Sequence, residues 1–474
     1  MPFNIFGANS VSGYTVKNSL RFNRGSSDSL SRSISSTGNR RINTFSTWVK
    51  RSLLATEQRI IMASAGGGSQ SWFPAFTGGD FIKIAGDTGT GYAFDLDTTA
   101  VFRDPSAWYH IVVAFDTTQA TDTNRIKLYV NGTQQTLTGT YPSQNSDMPH
   151  INLSGSSFYI GGRTPASDLY FSGYLSEMFW IDGQQLTPSS FGETDTDTGI
   201  WKPKAYTGTY GTNGFYLKFA NSASLGTDSS GNGNNFTVNN LTSVDQTTDT
   251  PTNNFCTLDP LNVPTSSTPT FTEGNTKVVT SSGGNFGGSG NIGASKGKWY
   301  FEIKFTSGTT SYGNISLSSS SNARESARQN VHSNQLSSAY PNLCYEYDGN
   351  VYKDSSGTPF ANYGSYAVGD IIMIAMDLDN QFAYFGRNGT WGNSSVPTSG
   401  SSGTGAVSLS TNPDFWHLAL GDRNSAGTNT YEVNFGNPPY SANSYTDGAG
   451  YGNFSYAVPS GYYALCTKNL ANFG

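Results

Sequence analysis

Residues 108–133 read WYHIVVAFDTTQATDTNRIKLYVNGT: an apolar run ending in Asp, a polar loop, an alternating run, then Asn-Gly. WYHIVVAF is apolar almost throughout, as a strand covered on both faces would be. RIKLYVNG alternates with period two and closes on Asn131-Gly132, a strong short-range turn signal. The same plan returns in residues 369–390, GDIIMIAMDLDNQFAYFGRNGT. There IIMIAMD stands for IVVAFD, and FAYFGRNGT for IKLYVNGT. Each stretch predicts the central hairpin of a β-sandwich. Their repetition predicts two sandwiches in tandem.

Composition supports that reading. The chain has 474 residues, of which 13% are charged and 14% aromatic, with 27 Tyr, 29 Phe and 55 Gly. A soluble domain usually carries ~25% charged residues. Abundant aromatics argue against disorder. Gly-rich turns and few helix formers point to an all-β protein. The net charge of −6 comes with no basic block beyond the pairs Arg40-Arg41 and Lys50-Arg51. Nucleic-acid binding needs a concentrated basic footprint, so none is expected. Apolar runs such as residues 371–376 fall far short of the ~18 residues of a membrane span. Cys256, Cys344 and Cys466 form neither a disulfide framework nor a C-x-x-C pattern; they read as small buried hydrophobes.

Residues 1–14 lack the basic start and apolar core of a secretory signal. The surface composition, hydroxyl- and amide-rich with little charge, is nonetheless of an extracellular kind. A particle protein made in the cytoplasm and released by lysis reconciles the two. So does a chain whose signal has been removed.

Along the chain, residues 1–18 read as an attachment arm. Strand signals then follow: SLRFN (19–23), FSTWVKRS (45–52), QRIIMAS (58–64), DFIKIAG (80–86), GYAFDLD (91–97), SFYIGGR (157–163) and YFSGYLSEMFWIDG (170–183), each bounded by turn formers. In 45–52, Phe45, Thr47 and Val49 alternate against Ser46, Trp48 and Lys50. TPSSFGE (187–193) predicts a single helical turn, with Thr187 as cap and Pro188 at its first position. Together FSTWVKRS, WYHIVVAFDTT…RIKLYVNGT, FYIGGR and YFSGYLSEMFWIDGQQLTPSSF resemble a laminin-G-like jelly roll of concanavalin A type. The resemblance places a first domain at 19–199.

Residues 200–267 turn rich in Gly, Asn, Thr and Asp and read as a connector. Only GFYLKFA (214–220) and NNFTVNN (234–240) look like strands. They resemble the opening hairpin of a laminin-G-like unit with DSSGNGNN as its turn. A lone hairpin is unstable in water, so it is expected to dock on a neighbouring sandwich. The connector as a whole, DTPTNNF included, resembles a stretch recurrent in tail-associated and structural proteins of marine bacteriophages. From 268 to 474 strands resume. KGKWYFEIKF, the turn at Tyr347-Asp348-Gly349 and GDIIMIAMDLDN…YFGRNGTW resemble a SPRY domain, a second concanavalin A-like sandwich and a non-enzymatic binding module. The Tyr-rich 450–470 closes it.

Sandwiches of this type include glucanases, which implies a test for carboxylates. Glycoside hydrolysis needs two across the scissile bond, spaced in such enzymes as Glu-x-Asp-x-x-Glu or a close variant. No glutamate here is so placed, and Glu177 and Asp182, five apart, fall on opposite strand faces. His110, His150, His332 and His417 lie in separate segments and read as core or edge residues. Gly288–Gly293 spells G-x-G-x-x-G and Gly293–Gly297 spells G-x-S-x-G, but each leads into a strand rather than a helix. The chain is expected not to be an enzyme and to need no cofactor. A structural calcium is the one ion worth testing, with Asp228, Asn232 and Asn234 in TDSSGNGNN as first candidates and Asp116 and Asp122 as second; the same residues are ordinary turn formers. Sugar sites pair an exposed aromatic with amides and hydroxyls from loops. Candidates are Trp72 in WFPAF, Tyr141, Tyr340, Tyr363, Tyr366, Trp391 and the aromatics of 440–451.

These readings converge on a bacteriophage virion protein, a tail or head fibre or appendage on the particle surface. Lectin-like sandwiches would bind host surface glycan or lipopolysaccharide. The arm would hold other virion proteins, and a homo-oligomer, trimeric as fibres commonly are, is expected. The alternatives are a purely structural capsid or tail decoration, and a polysaccharide depolymerase.

Overall fold

A computed structural model describes residues 13–65, 71–162, 169–263, 268–280, 286–308, 313–319, 342–353, 358–409, 415–422 and 428–474. The fold is all-β and almost wholly antiparallel, built from two compact units, Ser10–Thr252 and one formed mainly by Asn253–Gly474.

In the first unit one sheet runs, edge to edge, Thr133–Gln134, Ile126–Val130, Trp108–Asp116, Ile42–Arg51, Gly173–Asp182, Ser19–Phe22 and Gln246–Thr247. The other runs Leu137–Thr140, Tyr92–Val101, Phe81–Asp87, Ser71–Phe76, Ile61–Ser64, Ser157–Ile160, Ser29–Ser33 and Thr237–Asn239. Alternate side chains of both sheets meet in one core, with Phe45, Val49, Ile111 and Leu175 against Ile61, Trp72, Ile84 and Leu96. The stretch 108–130 pairs as expected, Ile126 opposite Phe115 through Val130 opposite Ile111. It is not central, however: Ile42–Arg51 holds the middle of the sheet, and the hairpin lies to one side. The second unit repeats this. Ile371–Asp377 and Phe382–Arg387 pair to one side of Lys298–Ser307, which is the central strand of its seven-stranded path. The six-stranded sheet of that unit supplies Ile315, Leu317, Leu343 and Leu418 to a second core. Thr187 and Pro188 do open a single turn, a 3-10 helix over Pro188–Ser190.

The connector departs most from expectation. Phe215–Leu217 joins the first sheet beside Gly173–Asp182, while Thr237–Asn239 joins the opposite sheet beside Ser29–Ser33. They are therefore not a hairpin, and the DSSGNGNN turn carries the chain from one sheet to the other. Residues 200–252 belong to the first sandwich, and the boundary expected near Gly199 moves to 252. The cause lies on the outer face of the first sheet. Val112, Phe179, Ile181 and Tyr216 form an apolar cluster there, packed by Tyr206 and Tyr210. That face would be costly to leave in water, and it explains why residues 108–115 are apolar on both sides. The end of the arm is tied down as well: the Val16 N–H donates to Thr252 Oγ1 at 3.1 Å, and Thr250 Oγ1 donates to the Val16 carbonyl at 3.2 Å.

Candidate functional site

The facing sheet of the first unit has an outward surface whose residues line up in straight rows. Along Phe81–Asp87, Ile82 and Ile84 enter the core, so Lys83 and Ala85 point away from it. Along Tyr92–Val101, Phe94 and Leu96 enter the core, so Asp95 and Asp97 point outward. Register sets Thr138 opposite Asp97 and Asp97 opposite Lys83; in the next row Thr140 faces Asp95, which faces Ala85. Simple alternation would send Tyr92 inward with Phe94. A register shift between Gly86 and Asp87 adds a residue there, and such a bulge reverses the side on which the following residue emerges. Tyr92 is accordingly 53% exposed. Its ring centroid lies 5.6 Å from the Lys83 ammonium.

Lys83 bridges the two carboxylates, hydrogen-bonded to Asp95 and 3.3 Å from Asp97 Oδ1. Burial works against its charge, but the bonds from Asp95 and Asp97 outweigh it and hold its pKa above the ordinary value. Gly139 brings the edge strand close: its φ of 125° and a Cβ that would lie 2.0 Å from the Asp95 carbonyl admit no side chain. The outcome is an exposed aromatic face beside two half-exposed carboxylates, an ammonium and the exposed hydroxyls of Thr138 and Thr140. Carboxylates accept from hydroxyl groups and the ammonium donates to them, while the ring offers an apolar platform. All six residues sit on sheet strands, so the array is rigid before any ligand arrives.

The aromatics picked from the sequence are not brought together, and most are packing residues. Trp72 lies on a strand, Ser71–Phe76, rather than a loop, fully buried 5.5 Å from the rings of Phe115 and Trp180. Tyr363 is buried with its hydroxyl donated to the Gly405 carbonyl, and Tyr366 likewise to Gly313. Tyr141 is half-buried against the core, and Trp391 belongs to an outer-face cluster with Tyr300. Of the 440–451 aromatics, Tyr445 is exposed. Tyr340 and His332 lie outside the described residues. Tyr92 escaped notice because the bulge that exposes it leaves no mark in the hydrophobic pattern. The D-x-D of residues 95–97, alternating on a strand beside a lone Lys83, was the available signal.

Asp228, Asn232 and Asn234 do come together, but their groups are spent on the turn. Asp228 Oδ1 accepts the N–H groups of Tyr216 and Ser230, both at 2.9 Å. Its Oδ2 accepts Ser230 Oγ and the Asn234 N–H, both at 2.8 Å. Asn232 donates to the carbonyls of Gly211 and Gly214, and the Arg32 guanidinium donates to Asn234 Oδ1. A guanidinium at the ligating oxygen and a saturated carboxylate do not fit a calcium ion. Asp116 accepts from Thr118 and Gln119, and Asp122 from the Thr123 N–H, each closing its own turn. Among the described residues no three His, Cys, Asp or Glu side chains converge. A chelator is expected to leave the melting temperature unchanged in differential scanning calorimetry; a fall would show an ion elsewhere.

The carboxylates tested for catalysis have separate structural partners. Glu177 sits at a bulge with φ of 48°, accepting the hydroxyls of Tyr14 and Tyr216 at 2.6 and 2.7 Å. Burial pushes its pKa up. Asp182 instead accepts the N–H groups of Asn39 and Asn213 and the Asn152 amide. His110 lies between the rings of Trp48 and Trp201; Trp201 Nε1–H donates to its Nδ1 at 3.0 Å, and its Nε2 meets Ser46 Oγ at 2.9 Å. Burial pushes its pKa down to about 3, so it is a neutral packing residue. In the second unit neither glycine motif precedes a helix: Phe286–Ser289 and Lys298–Ser307 are strands.

Comparison with known proteins bears on the same region. The family model described as the concanavalin A-like lectin/glucanases superfamily, Laminin_G_3, matches residues 24–190. Similar solved structures include the SPRY domain of human HERC1, 16% identical over 37% of this chain and 96% of that one, with a TM-score of 0.28. A heptameric SAP-like pentraxin from Limulus polyphemus is 12% identical over 37% and 80%, with a TM-score of 0.27. A Bacteroides ovatus protein described as carbohydrate binding is 16% identical over 48% and 59%, with a TM-score of 0.34. No curated protein matches the sequence. Residues 24–190 are thus similar to the concanavalin A-like lectin/glucanases superfamily, and the rows around Tyr92 lie within that stretch.

Proposed function

We propose that the chain is a non-enzymatic glycan-binding protein whose ligand lies on the outward sheet face at Tyr92, Lys83, Asp95 and Asp97. The observation that carries this reading is the exposed Tyr92 ring, set on a rigid sheet beside a lysine–carboxylate network and the exposed hydroxyls of Thr138 and Thr140. The lectin-type match over the same residues supports it. The phage-like character of the connector extends it to a virion fibre or appendage that attaches to host surface glycan or lipopolysaccharide, held to other virion proteins by its N-terminal arm and assembled as a homotrimer.

A glycan array with the recombinant chain, followed by titration of the best neutral oligosaccharide, tests the site. Tyr92→Ala is expected to weaken binding about tenfold, ~1.4 kcal/mol, without changing the melting temperature. Equal binding by wild type and variant would move the site elsewhere, and no binding at all would remove the adhesin reading. A purely structural decoration is favoured by one observation, that most candidate aromatics are spent on packing; full infectivity of a phage lacking the protein would support it. Release of reducing ends from host polysaccharide would overturn the non-enzymatic reading.

A further inference from the structure

The second unit carries a row that reverses the charges of the first. Lys277 lies directly opposite Glu432, and Glu432 directly opposite Lys304, on three adjacent strands, Lys277–Val279, Thr430–Asn434 and Lys298–Ser307. Lys277 Nζ is 3.4 Å from Glu432 Oε1, and Lys304 Nζ is 3.9 Å from Oε2. The lysine side chains are 33% and 31% exposed and the glutamate 12%. A largely buried carboxylate thus holds two accessible ammoniums side by side and leaves the row one positive charge in excess. The Lys304 ammonium also lies 4.9 Å from the centroid of the Tyr440 ring. Beyond the row on the same face, Ser307 Oγ donates to Thr430 Oγ1 at 2.8 Å. The nearby Glu302 does not cancel the excess at the surface, because it is fully buried and bonded to the N–H groups of Ser455 and Tyr456.

We propose that this row is a second glycan site, specific for acidic sugars, those bearing a carboxylate or sulfate. Lys277 and Lys304 stand two strand separations apart, about 9.6 Å at the backbone, and their ammoniums converge on the two oxygens of one carboxylate. The same convergence suits the oxygens of an anionic substituent, with hydroxyls and a ring beside it for the rest of the sugar. The row around Tyr92 has the opposite excess, two carboxylates to one ammonium, and repels the same ligands. The inference does not depend on the Tyr92 site.

The test is calorimetric titration of the full chain with trigalacturonate and with a sulfated trisaccharide, galactotriose serving as the neutral control. The two acidic probes separate carboxylate from sulfate as the recognised group. At least one is expected to bind, more weakly as salt rises from ~50 to ~500 mM. Lys277→Ala with Lys304→Ala should lower affinity at least about tenfold. Glu432→Gln, which frees both ammoniums, should raise it, and Tyr92→Ala should leave it unchanged. All three changes lie at half-exposed surface positions or conserve shape, so folding is preserved and is checked by melting. Failure of both acidic probes to bind, binding that survives the double lysine change, or binding lost with Tyr92 would each overturn the proposal.

Discussion

Asp249→Ala is expected to destabilise the first sandwich by about 3–5 kcal/mol. Asp249 Oδ2 lies 2.8 Å from Lys50 Nζ, with side chains 0% and 1% exposed. Its Oδ1 accepts the Trp108 indole N–H at 3.1 Å. Its carbonyl accepts the Ser19 hydroxyl. Removing the carboxylate leaves an ammonium buried without its counter-charge and an indole donor without its acceptor, which is the costly way to break an ion pair. Urea unfolding of the chain ended after Thr252 measures the cost. A loss below about 1 kcal/mol, the range of an exposed pair, would show that the pair is hydrated and the connector loosely held. Replacing both partners by apolar residues, Lys50→Met with Asp249→Leu, should recover much of the stability, because no unpaired charge then remains. A chain ended at Gly199 lacks Asp249, Tyr206, Tyr210 and Tyr216 altogether, and is expected to be insoluble.

That ion pair also shows what could be read from the sequence and what could not. Alternation in FSTWVKRS set Phe45 and Val49 on one face and Lys50 on the other, and the structure turns the first face into the core. It could not say that this face is itself covered, because the covering residues lie some 200 positions away and carry no periodic signal of their own. Strand existence follows from local pattern, and most strands from 19 to 183 were legible for that reason, whereas Ser29–Ser33, Ser71–Phe76 and Leu137–Thr140 were not. Pairing between distant strands is set by which apolar faces remain to be buried, so the split of residues 215–217 and 237–239 between two sheets was not. The site failed to show for a related reason. In a chain this rich in Tyr and Phe an aromatic is usually core, as Trp72 and Tyr363 are, and the exposed one, Tyr92, is revealed only by a bulge. Its polar neighbours Lys83, Asp95 and Asp97 lie in stretches read as strands, but the sequence holds no register to join them.

Glu302→Ala is expected to cost the second sandwich about 2–5 kcal/mol, since a buried donor left without an acceptor costs ~1–3 kcal/mol. Glu302, on the strand Lys298–Ser307, is fully buried. Its Oε1 accepts the Tyr300 hydroxyl and the Tyr456 N–H, both at 2.9 Å. Its Oε2 accepts the Asn434 amide at 3.0 Å and the Ser455 N–H at 2.9 Å. Asn434 keeps a second acceptor in the Asn453 carbonyl, so the loss falls mainly on the backbone N–H groups of Ser455 and Tyr456 and on the Tyr300 hydroxyl. The carboxylate is the clamp that seats the 450–464 segment on the sheet, with Phe454, Tyr462 and Ala464 packed around Tyr300 and Tyr384. Glu302→Gln keeps the shape and one acceptor but turns an amide N–H₂ toward two donors, so it should fall between alanine and wild type. Amide exchange distinguishes this from a general loss of core. Protection should drop first at Ser455 and Tyr456 while Ile372 and Ile374, inside the core, stay protected. Uniform loss of protection across the unit would show that Glu302 supports the whole sandwich rather than its Tyr-rich cover. Unchanged protection at Ser455 and Tyr456 would show that packing alone holds that segment in place.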